Sequence, residues 1–223
     1  MRNLAEHHFT VKRRARVYTL GEIGPAVRYC CIACHGYGQL AGHFIRKFDR
    51  IARADTLVVA PEGLSRFYWG GLSGDVKASW MTKEDRLHEI ADFSDYLSHL
   101  YDYYRGQLPE DAAFVLLGFS QGVATQMRWI MRAFPQFQHL VLWAGTVPED
   151  IDYQPALDYF QDKRLHFVYG TEDQFLTKER LQAYRSEMKK TGLSFVEHTF
   201  EGRHQVDRKA LLRLFREQIW QQP

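Results

Sequence analysis

No apolar run in this chain approaches the ~20 residues of a membrane span. The first residues, Met1 to His8, contain no hydrophobic signal-peptide core, so a cytoplasmic location is the expectation. A surplus of one charge is also missing. A net charge of +2 with 25% charged residues argues against a nucleic-acid footprint. The one local exception, Lys12-Arg-Arg-Ala-Arg16, alternates with Val11, Ala15 and Val17 and reads as a solvated edge strand guarded by its charges. Cysteine is scarce at three residues. Cys31-Ile-Ala-Cys34 has the C-x-x-C spacing of redox motifs but falls within a predicted strand. Three steps of about 3.3 Å put those α-carbons roughly 10 Å apart with the side chains on opposite faces. A disulfide needs about 7 Å or less. The thiols therefore read as small buried hydrophobes of a reducing compartment. Repeats and low-complexity linkers are absent as well. At 223 residues the chain reads as one domain, 1–223, with a sizeable core and too little length for a large cap.

What is present is a serine in a demanding context. Gly118-Phe-Ser-Gln-Gly122 matches G-x-S-x-G, preceded by the apolar run Ala113-Phe-Val-Leu-Leu117 and followed by a helical segment to Phe134. A strand, a sharp turn and a helix lift the Ser120 hydroxyl above the sheet edge, with free helix N–H groups aimed at the reacting centre. Partners should follow in the order Ser, acid, His. Asp173 lies just past a predicted strand ending at Tyr169, and His204 just past another ending at Phe200. In this reading His204 takes the serine proton and Asp173 orients its ring. Glu172 and Asp150 compete for the acid role, Asp150 because it follows the preceding strand, while Asp207 is expected to begin the last helix. His166 and His198 fall inside strands and are read as packed or solvated.

Upstream, an apolar run from Arg28 to Cys34 ends in His35-Gly-Tyr-Gly38. Such a turn can aim a backbone N–H at a developing oxyanion, with the second donor from the residue after the nucleophile. Those donors would be the N–H groups of Tyr37 and Gln121. His35 is read as a brace for its loop.

In order and spacing these four motifs resemble the phospholipase/carboxylesterase family of α/β-hydrolases, which includes small bacterial esterases and acyl-protein thioesterases. Gln121 after the serine is typical of that family. Gln39 stands where the family often has Asp, Arg203 where a Gly often precedes the histidine, and Leu176-Thr177 where Val-Pro is common. The resemblance implies ester or thioester hydrolysis with no metal and no organic cofactor.

Strands are expected near 27–34, 56–60, 113–118, 138–143, 164–169 and 194–199, with β-structure over 7–20 at the start. Helices fit near 40–52, 85–105, 122–134, 178–191 and 206–219. In the long one Leu87, Ile90, Ser94, Leu97, Tyr101 and Tyr104 recur at steps of three and four. Such alternation predicts an α/β fold, a mainly parallel sheet covered on both faces with an antiparallel start. Residues 62–81 read as a long irregular connection carrying Phe67, Tyr68, Trp69 and Trp80. These four are candidates to bind substrate, although a subunit interface, and so a homodimer, or packing over the sheet edge would suit them too.

The expected activity is serine-dependent cleavage of small carboxylic esters of short to medium acyl chains through an acyl-enzyme. An acyl thioesterase or lysophospholipase is the nearest alternative. A catalytically silent ligand-binding protein is the alternative of another class.

Overall fold

The computed structural model describes residues 4–221, so Met1–Asn3 and the last two residues of the 1–223 expectation lie outside it. Seven strands form one sheet in the order β1-β3-β2-β6-β7-β8-β9. They are β1 (Val17–Leu20), β2 (Tyr29–Cys34), β3 (Thr56–Pro61), β6 (Ala113–Phe119), β7 (His139–Trp143), β8 (Arg164–Gly170) and β9 (Phe195–Phe200). All neighbours run parallel except β1, which pairs antiparallel with β3. The inner strands β2, β3, β6 and β7 are buried at every position, as a sheet covered on both faces requires.

One face is covered by α2 (Arg86–Arg105), α3 (Gln121–Ala133), the short α4 (Leu157–Phe160) and α5 (Lys178–Lys190). The other lies under α1 (Ala41–Phe44), a 3-10 turn at Ile45–Phe48, and α6 (Arg208–Leu214), which runs on into a π-helical turn, Phe215–Ile219. Cys30 and Cys34 face the first layer and Cys31 the second, so Cys31 and Cys34 point to opposite sides of the sheet. Burial pushes the Cys30 thiol up to about 12 and raises the other two, so none is a ready thiolate.

Several expectations need correction. The N-terminal β-structure is confined to β1, and Lys12–Arg16 form no strand. Partner length sets that limit, because Val17 already pairs with Pro61 at the end of β3. Beyond it one backbone bond remains, from Glu62 N–H to Arg16 O, and the Arg16 side chain binds the Glu62 carboxylate. The predicted helix over 40–52 is only α1 and the 3-10 turn. Leu87 is exposed at the start of α2, whose buried stripe begins with Phe93.

The largest correction is residues 62–81. They form a regular antiparallel hairpin of β4 (Ser65–Trp69) and β5 (Asp75–Ser79), closed by a turn in which Gly70 and Gly71 take positive φ. Gly74 approaches so closely that a Cβ there would lie 1.9 Å from the Trp69 carbonyl oxygen. The hairpin leaves the sheet and stands beside the loop that follows β2.

Candidate active site

Ser120, Asp173 and His204 all follow the C-terminal ends of parallel strands (β6, β8 and β9), so the sheet delivers them to one edge. Ser120 sits at φ 52°, ψ −115°, a conformation that costs a side-chain-bearing residue on the order of 1–3 kcal/mol. The surroundings enforce it. The Ser120 N–H donates to the Trp143 carbonyl at 2.9 Å. A Cβ at Gly122 would lie 2.1 Å from the Cys34 carbonyl oxygen, and one at Gly118 would lie 2.3 Å from that of Gly122. Only glycine at both positions lets the strand turn this sharply into α3 beside β2.

His204 Nε2 lies 3.0 Å from Ser120 Oγ, and His204 Nδ1 lies 2.7 Å from Asp173 Oδ2. A carboxylate only accepts, so Nδ1 carries the proton and Nε2 is left to receive one from the hydroxyl. Asp173 is buried, and its Oδ1 accepts from the Phe175 N–H at 2.9 Å. The loops bearing acid and histidine are joined by the backbone: Thr171 N–H donates to Phe200 O, and Glu172 N–H to Gly202 O. Phe119 and Phe175 flank the imidazole with ring centroids 5.0 and 4.8 Å away.

The rival carboxylates are engaged elsewhere. Asp150 pairs with Arg128 and Arg86, and the Arg128 hydrogen bond holds its carboxyl down at about 2. Glu172 points to solvent. Asp207 caps α6, accepting from the N–H groups of Lys209 and Ala210.

The His35–Gly38 loop lies against the serine, since a Cβ on Gly36 would be 3.2 Å from Ser120 Cβ. Three N–H groups of residues 36–39 are committed. Gly36 N–H donates to Gln39 Oε1, Gly38 N–H to Ala78 O, and Gln39 N–H to Gly36 O. The Tyr37 N–H meets no protein acceptor among the described residues, nor does that of Gln121 at the head of α3. Both backbone donors expected from the sequence are therefore uncommitted. Gln39, a departure from the family pattern, supplies the side-chain oxygen that shapes this turn.

His35 is fully buried. Its Nε2 accepts from the Gly63 N–H at 3.0 Å, so its proton sits on Nδ1, 2.8 Å from Gly36 O. Burial lowers its pKa and keeps it neutral. Beneath it the Glu62 carboxylate, 1% exposed, gathers Arg16, Arg66 and the Ala41 N–H.

The four aromatic candidates separate. Phe67 and Trp69 cluster with Tyr37, at centroid distances of 5.6 and 6.1 Å. Tyr68 alternates to the opposite face of β4, away from that cluster. Trp80 is 1% exposed, packs on His35 and Phe93, and donates its indole N–H to His35 O. It braces the loop from inside and cannot line a cleft. Sequence reasoning missed the Gln121 side chain, whose amide binds residues 79–81. Its signal was the same Gln that marked the family resemblance. Among the described residues one group, His8, Asp85 and His88, brings three potential metal-ligand atoms within 4.8 Å of one another. None of the three belongs to the serine relay.

A serine on a strand-to-helix turn of a mostly parallel sheet, with acid and histidine on later strand ends, defines an α/β-hydrolase. The chain belongs to the serine hydrolase family FSH1, whose sequence model matches residues 32–213. No curated protein sequence matches it. Among solved structures it is similar to the esterase PE8, at 19% identity and TM-score 0.65 over 92% of this chain and 99% of that one. It is also similar to acyl-protein thioesterase 2 of Zea mays, at 15% identity and TM-score 0.67 over 91% and 97%. A phospholipase/carboxylesterase from Dyadobacter fermentans superposes at 14% identity and TM-score 0.61, over 95% and 99%. At these identities the likeness is one of fold. No described helix is long and apolar enough to cross a membrane.

Proposed function

We propose that this serine hydrolase cleaves carboxylic esters through an acyl-enzyme, with residues 1–223 acting as one catalytic domain. Ser120 Oγ attacks the ester carbonyl carbon while its proton passes to His204 Nε2. The negative charge on the former carbonyl oxygen is received by the N–H groups of Tyr37 and Gln121. Asp173 stabilises the imidazolium. Collapse of the intermediate expels the alkoxide, which takes the proton from His204, and water then repeats the sequence to release the acid. Each oxyanion donor is worth roughly 3–4 kcal/mol in such a step.

The observation that carries this reading is the unbroken relay from Ser120 Oγ through His204 to Asp173, at 3.0 and 2.7 Å. A fluorophosphonate probe tests it. The wild type should be labelled at Ser120, and Ser120→Ala should lose both labelling and turnover by several orders of magnitude. Undiminished labelling of the variant would overturn the assignment.

Short to medium acyl esters are the preferred substrates in this proposal, since no cap domain roofs the site among the described residues. Phe67 and Trp69 border it. The exposed Tyr68 and Leu72 on the hairpin support a homodimer joined through that surface, which sedimentation velocity would test. Three free, buried thiols suit a cytoplasmic location.

A further inference from the structure

A cleft of about 470 Å³ opens beside His204, between the loop after β2 and strand β5 of the hairpin. That volume suits a small molecule. Its apolar wall includes Leu40, Phe44 and Val206. Its polar rim is cationic: Lys47 comes from the 3-10 turn and Lys77 from β5. Among the described residues Asp75 is the only carboxylate on the rim.

The two ammonium groups are poorly neutralised. Lys47 has no carboxylate within ion-pair distance among the described residues. Lys77 meets only Asp75, at 3.4 Å, and that carboxylate is 83% exposed, so water screens the pair heavily. Lys47 and Lys77, from separate elements, border the same apolar-walled concavity. A concave wall of low dielectric focuses their field on whatever enters.

The cleft starts at the imidazole that returns the proton to the departing alkoxide, so it is the leaving-group arm of an ester that extends into it. We propose that this arm carries a carboxylate, which Lys47 and Lys77 receive while its carbon chain lies on Phe44, Leu40 and Val206. The preferred substrate class is then an acyl ester of a hydroxy acid. Hydrolysis consumes one water and yields the free acyl acid and the hydroxy acid. This inference rests on the serine esterase reading and adds the chemistry of the alcohol.

The test compares two esters with one acyl group. One is 6-acetoxyhexanoate, and the other is its neutral isostere 6-acetoxyhexanamide, with acetate release measured for both. At low salt kcat/KM should favour the anion by about tenfold, the ratio shrinking as added NaCl screens the lysines. Lys47→Met and Lys77→Met should each lower the ratio, and the double variant should bring it near one. Both esters are read on the same sample, so any loss of folded protein cancels. A second pair, the mono-p-nitrophenyl ester of suberic acid against p-nitrophenyl octanoate, puts the carboxylate on the acyl arm and should show no such preference. Equal turnover of the acetoxy pair, or a ratio the lysine variants leave unchanged, would overturn the proposal. So would a preference confined to the suberate pair. Failure to cleave either acetoxy ester, with no probe labelling of Ser120, would remove the esterase reading and this inference together.

Discussion

Gln121 and Trp80 are joined through the Gln121 side-chain amide, whose oxygen accepts the Trp80 backbone N–H at 3.1 Å. Its nitrogen donates to Met81 O at 2.8 Å, so one side chain at the elbow clamps the hairpin exit on both sides. The same residue presents its backbone N–H at the head of α3. The proposed oxyanion donor and the strut for the neighbouring loop are thus one amino acid.

Gln121→Ala should separate those two roles, because the backbone N–H survives and the clamp does not. Each lost hydrogen bond costs about 1 kcal/mol, so kcat should fall roughly tenfold and residues 79–81 should become protease-sensitive. Wild-type kcat in the variant would show that the clamp has no bearing on the reaction.

Asp173→Asn should lose most activity while staying folded, since an amide can favour the wrong imidazole tautomer. Asp150→Asn should retain wild-type kcat. Its native carboxyl is depressed to about 2 by Arg128, so the stability it lends is present above the ordinary carboxylate pKa and is lost as pH falls towards 2. Because Asp150 is half exposed, the change in Tm should be small. An inactive Asp150→Asn beside an active Asp173→Asn would exchange their roles.

A ladder of three histidines crosses β7, β8 and β9, with His139 Nδ1 3.1 Å from His166 Nε2, and His166 Nδ1 3.1 Å from His198 Nε2. Burial lowers His139 to about 4 and His166 to about 3, with Arg164 pushing both further down. His198 is lowered by burial and Arg213, against the opposing pull of Glu217. Folded pKa values below the unfolded value of about 6.5 mean that only the unfolded chain takes up protons as pH drops. Stability is therefore full above that pH and lost on acidification towards the folded values. Between pH 7.5 and 5 the loss should be on the order of 4 kcal/mol by urea unfolding, about 2 kcal/mol from each of His139 and His166. The double variant His139→Leu/His166→Leu should flatten that dependence. An unchanged slope would refute the account.

The acyl arm can be tested through the aromatic cluster. In a panel of p-nitrophenyl esters from acetyl to palmitoyl, kcat/KM should peak at short or medium length. Each methylene without an apolar wall forgoes about 0.8 kcal/mol of burial. Trp69→Ala should depress the longest productive esters first. Activity rising to palmitoyl, and lost only for long chains in the variant, would instead favour a lysophospholipase or thioesterase.

The elbow was legible because its constraints are local. Two glycines flank the serine within five residues, and a buried strand and a helix sit on either side. Acid and histidine were legible through their order after strand ends. The hairpin was not, because what fixes it is remote: Gln121 grips residues 79–81 from about 40 positions away, and Gly38 docks on Ala78. Read alone, its aromatics and glycines suggested irregularity, although Gly70-Gly71 carried the turn signal. The N-terminal strand was over-read for a related reason. Alternation around 11–17 is a property of that segment, whereas strand length belongs to the pair, and β3 ends at Pro61. Trp80 was misread because an aromatic side chain looks the same in sequence whether it faces substrate or core.

Ser120 and His204 are separated by 84 positions, and the histidine loop follows the outermost strand of the sheet. During synthesis the elbow leaves the ribosome long before its base does. The nucleophile, its oxyanion loop and the hairpin can be in place while the hydroxyl still lacks a proton acceptor. A nascent or C-terminally truncated chain ending before β9 would be a serine turn without chemistry. The pairing of β9 on β8 is therefore the contact that joins the proposed base to the proposed nucleophile.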